Sequence, residues 1–120
     1  MKLTIGFSPC PNDTFIFEAL INGRVDTEGV EYDWFLADVE ELNHNAIKGT
    51  VDITKLSYHA YAFVAQHYLL LDSGGALGRG NGPLLISKRK IYTDEINDIR
   101  IAIPGRYTTA NLLLSIAWPD

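Results

Sequence analysis

The chain reads as an α/β protein built on a mostly parallel sheet, and three observations predict this. Short apolar runs with strand character recur at 3–7, 30–36 and 51–56. Each is followed within a few residues by a stretch of helical periodicity, and each strand-to-helix junction carries capping residues or proline. Strands alternating with helices across short loops are the pattern of parallel sheets, whose strands need helical crossovers.

Leu3, Ile5 and Phe7 alternate with smaller or polar residues, the period-two signature of a strand. Pro9 and Pro11 stiffen the turn that follows and withdraw two backbone donors. Asn12, Asp13 and Thr14 are each competent to cap the first helix, whose predicted apolar face is Phe15, Ile16, Ala19 and Leu20. Asn22 and Gly23 stop it, and Val30–Leu36 forms the second strand. Asp38, with Glu41 three residues on, opens a helix in a capping-box relationship. Its buried stripe is Val39, Leu42, Ala46 and Ile47, and Gly49 closes it. A third strand spans Val51–Leu56, and Ser57 caps a helix over Tyr58–Ala65. Further strands are predicted at Tyr68–Leu71, Leu84–Ser87 and Ile99–Ile103, with a turn or short helix at Tyr92–Asp98. Thr108 or Thr109 opens a last helix with Leu112, Leu113, Ile116 and Ala117 on one face. That helix follows a strand with no later strand to pair with, so the pattern is an incomplete second α/β unit. Its uncovered apolar face favours a homo-oligomer.

Composition narrows the function. The chain has 120 residues and is 47% hydrophobic, enough for one modest core. A net charge of −5, without acidic or basic blocks, argues against nucleic-acid binding, which needs a basic surface. No apolar run approaches the length of about eighteen residues that a membrane span requires. A single cysteine, Cys10, fits a reducing compartment, and the N-terminus lacks the pattern of an export signal. The cytosol is the expected location.

Three loops share one design: Ser8–Thr14, Leu56–Tyr58 and Gly105–Ala110 each follow a strand, carry hydroxyl or amide side chains and open a helix. Each offers backbone N–H groups and the positive end of a helix dipole, which suits a small carboxylate ligand. Each is equally explained as ordinary capping; it is their recurrence that points to a shared polar site. Gly74–Pro83 holds five glycines in ten residues but lacks the Lys-Ser/Thr ending of a phosphate loop, and a strand follows where a helix would be needed. Its glycines serve either close backbone approach to a ligand or an interlobe crossing, or simply a flexible loop. Cys10 has no base nearby in sequence and reads as a small residue of a tight turn. His44, His59 and His67 show no metal-ligand spacing, so no metal is expected. Asp13 is the best-placed acid, and a capping role explains it equally well.

Four ordered strings carry a family resemblance. Gly6–Phe15 (GFSPCPNDTF), Asp52–Tyr61 (DITKLSYHAY), Gly75–Leu85 (GALGRGNGPLL) and Pro104–Leu113 (PGRYTTANLL) together resemble the signatures of the 1,4-dihydroxy-6-naphthoate synthases of the futalosine route to menaquinone. The resemblance runs from about Leu3 to Trp118. It implies a periplasmic-binding-protein-like (type II) fold of two α/β lobes closing on a ligand. Residues 1–82 would belong to the first lobe and 83–120 to the start of the second. It implies a lyase that converts cyclic dehypoxanthinyl futalosine to 1,4-dihydroxy-6-naphthoate, with no cofactor. Ser57, Thr108, Thr109 and Ala110 match its ligand-contacting positions best, followed by Asn12, Asp13 and the backbone of Gly78–Gly82, Gly78 and Gly80 above all. Family members are about twice as long, and the histidine expected as base lies beyond Asp120, so the isolated chain is expected to turn over little. Two other functions fit the same fold: a solute-binding protein for a small carboxylate metabolite, and chorismate dehydratase. The missing export signal weighs against the first, and the N-terminal string against the second.

Overall fold

The computed structural model describes residues 1–80 and 82–119. Its centre is the strand β1 (Lys2–Phe7), whose Ile5 and Phe7 are fully buried. On one side β1 pairs in parallel with β2 (Glu31–Leu36), from Lys2 opposite Glu31 to Phe7 opposite Leu36. On the other it pairs in parallel with β3 (Ile53–Thr54), Ile5 opposite Ile53 and Gly6 opposite Thr54. The sheet order is therefore β2-β1-β3, and the parallel α/β class read from the sequence is the observed one.

Helices cover both faces. On the Phe7 face, Phe17 of α1 (Pro11–Ile21) lies 4.7 Å from the Phe7 ring, with Trp34 of β2 at 6.1 Å. On the opposite face, Leu42 of α2 (Val39–Lys48) and Phe35 close over Gly6. A Cβ at Gly6 would stand 2.7 Å from Phe35 Cζ and 2.9 Å from Leu42 Cδ2. The missing side chain lets this layer approach the strand.

Helix starts differ from the expectation in one instructive case. Asn12, Asp13 and Thr14 do not cap α1; Cys10 occupies the N-cap position and Pro11 the first turn. Proline's fixed φ is already helical and its lost donor costs nothing there. The apolar face also shifts: Phe15 and Ile16 point outward, and the adjacent Phe17 packs inward. α2 begins at Asp38 as predicted, with Asp38 Oδ1 accepting from the Glu40 and Glu41 N–H groups at 2.9 and 3.0 Å, but the Glu41 side chain does not complete the expected capping box. It ends at Gly49, whose φ of +66° only glycine adopts without strain. Leu42 and Ala46 are buried as expected, Ile47 is not, and Asn43 is buried unexpectedly.

β3 is shorter than the predicted 51–56. At its start Asp52 Oδ2 accepts from Thr4 N–H (2.8 Å) and Thr4 Oγ1 (2.7 Å), and Asp52 N–H donates back to Thr4 Oγ1 (3.0 Å). These side-chain bonds stand where ladder bonds would. α3 (Tyr58–Val64) follows Ser57 as predicted. The strands expected at Tyr68–Leu71, Leu84–Ser87 and Ile99–Ile103 do not form. A strand needs a neighbour to satisfy its backbone, and these apolar runs find none; Leu69, Leu84 and Ile86 are each more than four-fifths exposed. A short 3₁₀ helix, Thr93–Asp98, occupies the polar segment, and α4 (Thr109–Ala117) is capped by Thr108. The predicted apolar face of α4 is not buried. The radius of gyration is 17.1 Å, against about 14 Å for a compact domain of this length.

The Thr4 bonds hold the Asp52 carboxyl below its ordinary value of 3.8, the backbone N–H having the largest effect. Its contribution to stability is present above about pH 4 and lost as pH falls through the lowered folded value. Urea midpoints measured from about pH 2 to 6 should fall less steeply in acid for Asp52→Asn than for the parent protein. Parallel curves would show that the pairing does not depend on the charge.

Candidate functional site

The order β2-β1-β3 reverses direction at β1, so the chain leaves β1 and β3 toward opposite sides and opens a crevice between their carboxyl ends. Open parallel sheets bind ligands at such a switch point. A cleft of about 240 Å³ lies there, lined by Ser8, Cys10, Asn12, Asp13, Lys55 and Ser57 over Val39 and Leu42. Of the three loops singled out in the sequence, those after β1 and β3 meet in this cleft.

Asp13 organises its floor. Buried in the first turn of α1, it accepts from Ser8 N–H at 3.0 Å and Ser8 Oγ at 2.8 Å through Oδ2. Its Oδ1 faces Lys55 Nζ at 3.3 Å, and that ammonium also donates to the Gly74 carbonyl at 3.0 Å. Cys10 N–H donates to Ser8 Oγ at 3.3 Å, which fixes the turn before the helix. The Cys10 side chain makes no bond to the first turn of α1, so the N–H groups of that turn project beyond the helix end beside Asn12. Cys10 itself is exposed and unpaired.

A second polar network stands behind Ser57. Asn43 is completely buried; its Oδ1 accepts from Ser57 N–H at 2.9 Å, and its Nδ2 lies 3.1 Å from Glu40 Oε2 and 3.4 Å from Ser57 Oγ. Glu40 in turn accepts from Tyr107 N–H at 3.1 and 3.2 Å. Gly105 presses against this carboxylate so closely that any Cβ there would overlap it. The Gly105–Ala110 loop is thereby fixed to α2. Thr108 is buried, donating to the Gly105 carbonyl (2.8 Å) and accepting from Asn111 N–H (3.2 Å). Thr109 Oγ1 accepts from His59 N–H at 3.4 Å, and His59 Nδ1 lies 3.2 Å from the Thr108 carbonyl. Among the described residues every buried side-chain polar atom has a partner.

The predicted site residues therefore separate. Asn12, Asp13 and Ser57 share the cleft. Thr109 and Ser57 share a second, wider groove of about 1050 Å³ along the open β3 edge, walled by Leu56, Tyr58, Tyr61 and Leu69–Leu71. The two are lined by apolar and polar groups in similar proportion; what distinguishes the smaller cleft is its place between the ends of β1 and β3, where the first turn of α1 and Ser57 meet. Thr108 and Ala110 line neither. Gly78 and Gly80 are exposed and line neither, and Asn81, which follows Gly80, lies outside the described residues. Sequence reasoning missed Lys55, Asn43 and Glu40 as parts of the site. The available signals were a lone lysine in an apolar strand and an asparagine beside Leu42 on a buried stripe. Among the described residues no group of three His, Cys, Asp or Glu is placed to hold a metal ion, and no helix is long and apolar enough to cross a membrane.

Comparison with known proteins agrees with the strings in the sequence. A family model described as menaquinone biosynthesis matches residues 3–120. A 1,4-dihydroxy-6-naphthoate synthase of Thermus thermophilus is 53% identical over 114 residues, covering 95% of this chain and 41% of the relative. A synthase of the same name from Streptomyces coelicolor is 40% identical over 114 residues, covering 95% and 39%. The crystal structure of an Archaeoglobus fulgidus protein superposes with a TM-score of 0.91 at 39% identity, over 99% of this chain and 44% of that one. The chain thus spans about two-fifths of the length of these relatives.

Removing the Asp13 carboxylate leaves Ser8 N–H and the largely buried Lys55 without their acceptor. Asp13→Ala is expected to cost about 1–3 kcal/mol in urea unfolding. A loss below about 0.5 kcal/mol would mean that water replaces the carboxylate and that the floor of the cleft is not built on it.

Proposed function

This chain belongs to the menaquinone-biosynthesis family, and we propose that it forms the N-terminal substrate-binding part of a 1,4-dihydroxy-6-naphthoate synthase. The observation that carries this is the convergence of Ser8, Asn12 and Ser57 at the carboxyl ends of β1 and β3, within two of the four strings shared with that family. Support comes from the Thermus and Streptomyces relatives, both bearing that name.

In this reading the whole protein is a periplasmic-binding-protein-like enzyme of the cytosol, with residues 1–82 in its first lobe and 83–120 beginning its second. The substrate is cyclic dehypoxanthinyl futalosine. Its carboxylate sits against the first turn of α1 and the Ser57 hydroxyl, where helix-end N–H groups and a partly positive potential stabilise an anion. Asp13 and Lys55 beneath are paired with each other and with the backbone, so they shape the wall rather than move protons. The helix start at Thr108, Thr109 and Ala110, already docked on α2 through Glu40, meets the ligand from the second-lobe side as the rest of that lobe closes. Closure excludes water from the reacting centre. The reaction is a base-initiated elimination: a base takes a proton from the substrate, and the bond to the sugar-derived fragment breaks with its electron pair leaving on that fragment. Neither His44, near Glu40 and against the Tyr107 ring, nor His59, held at Thr108, lines the smaller cleft. The base belongs to the part of the synthase that this chain does not span.

The test is a chimaera in which this chain replaces the matching 114 residues of the Thermus synthase. With cyclic dehypoxanthinyl futalosine it should release 1,4-dihydroxy-6-naphthoate, while the isolated 120-residue chain should release none. A chimaera with native circular dichroism but no naphthoate, beside an active Thermus parent, would refute the proposal. Turnover by the isolated chain would refute the placement of the base.

A further inference from the structure

We propose that Glu40 and Asn43 are positioning residues that set the spacing between the two halves of the ligand site, Ser57 on one side and the Tyr107–Ala110 turn on the other. This rests on the reading of that site as a substrate cleft. The two side chains stand three residues apart on α2, hence on one face of the helix, and neither lines the smaller cleft.

The bonding order suits these residue types. Ser57 N–H and Tyr107 N–H are both donors with fixed directions, and the pair must present an acceptor to each. Asn43 turns its carbonyl oxygen to Ser57, which commits its NH₂ toward Glu40. Glu40 then receives two donors, Asn43 Nδ2 at Oε2 and Tyr107 N–H across both carboxylate oxygens. A glutamine there would turn an N–H against one of them. An aspartate at 43 would face Glu40 with a second negative charge. Complete burial of Asn43 removes water as a substitute. The contact of Gly105 with the Glu40 carboxylate leaves the turn no slack. The chain Ser57–Asn43–Glu40–Tyr107 is thus one link between loops 50 residues apart, and a shift at Tyr107 moves the cleft-lining Ser57 at the other end.

The experiment uses the Thermus chimaera with ¹⁵N-labelled backbone. In Glu40→Gln the Tyr107 amide resonance and, through Asn43, the Ser57 amide resonance should both move. The kcat/KM for cyclic dehypoxanthinyl futalosine should fall about tenfold or more, mainly through KM, since displaced contacts weaken binding before they alter the chemistry. Glu40→Asp, which keeps the charge but shortens the reach, should give the same pattern at smaller amplitude and covers the case in which Glu40→Gln does not fold. A Ser57 resonance that stays in place when Tyr107 moves, or an unchanged KM with both displaced, overturns the inference. A parent chimaera that makes no naphthoate fails the functional reading alone, and the joint amide response then decides whether the pair links the loops.

Discussion

Asp13 carries a carboxylate into the interior of the first turn of α1, and the carboxyl end of the sheet is arranged around satisfying it. Ser8 supplies a backbone and a hydroxyl donor from the end of β1, and Lys55 supplies an ammonium from the end of β3. One carboxylate therefore joins the exit of the central strand, the entry of the first helix and the exit of the neighbouring strand. Lys55 passes the connection on to the Gly74 carbonyl at the start of the glycine-rich segment. A buried ion pair is a poor source of net stability, because desolvation consumes most of the attraction. Here the pair fixes geometry: it holds the Ser8–Cys10 turn open, with the helix end facing the cleft.

The sheet makes this arrangement possible. With β1 in the middle and both neighbours parallel to it, the loops after β1 and β3 leave on the same edge and diverge. Gly6 lets Phe35 and Leu42 settle over that strand, which brings α2 close enough for Asn43 to reach Ser57. Two polar networks then flank the cleft, one through Asp13 and one through Asn43 and Glu40. Each is fully bonded, as buried polar groups must be to avoid a large penalty.

The alternating pattern was legible in β1, α2 and α3, whose Ile5, Phe7, Leu42, Ala46, Ala60 and Val64 are buried, whereas α1 was marked by its prolines and Phe15 and Ile16 of its predicted face are turned outward. Periodicity works where the partner surface lies within the same segment. It failed at Leu69, Leu84 and Ile86, whose apolar runs look like strands but have no sheet edge completed beside them. It failed again at α4, an amphipathic helix whose apolar face has little to cover it. Asp13 was recognisable as a residue of the site but not in its role. Capping preference describes an aspartate at a helix start, whereas Pro11 had already begun the helix and turned Asp13 inward. Asn43 and Glu40 were illegible for a different reason: their partners are 14 and 67 residues away, and no local pattern reports such a bond.

On the proposed reading the substrate enters the cleft between the ends of β1 and β3 rather than the wider groove along the β3 edge. Chemical-shift mapping tests this most directly, with cyclic dehypoxanthinyl futalosine titrated into the labelled Thermus chimaera. The amides of Ser8, Asn12 and Ser57 are expected to shift on saturation while those of Leu69, Leu70 and Leu71 stay in place. Shifts confined to Leu69–Leu71, with Ser8 and Asn12 unmoved, would contradict it.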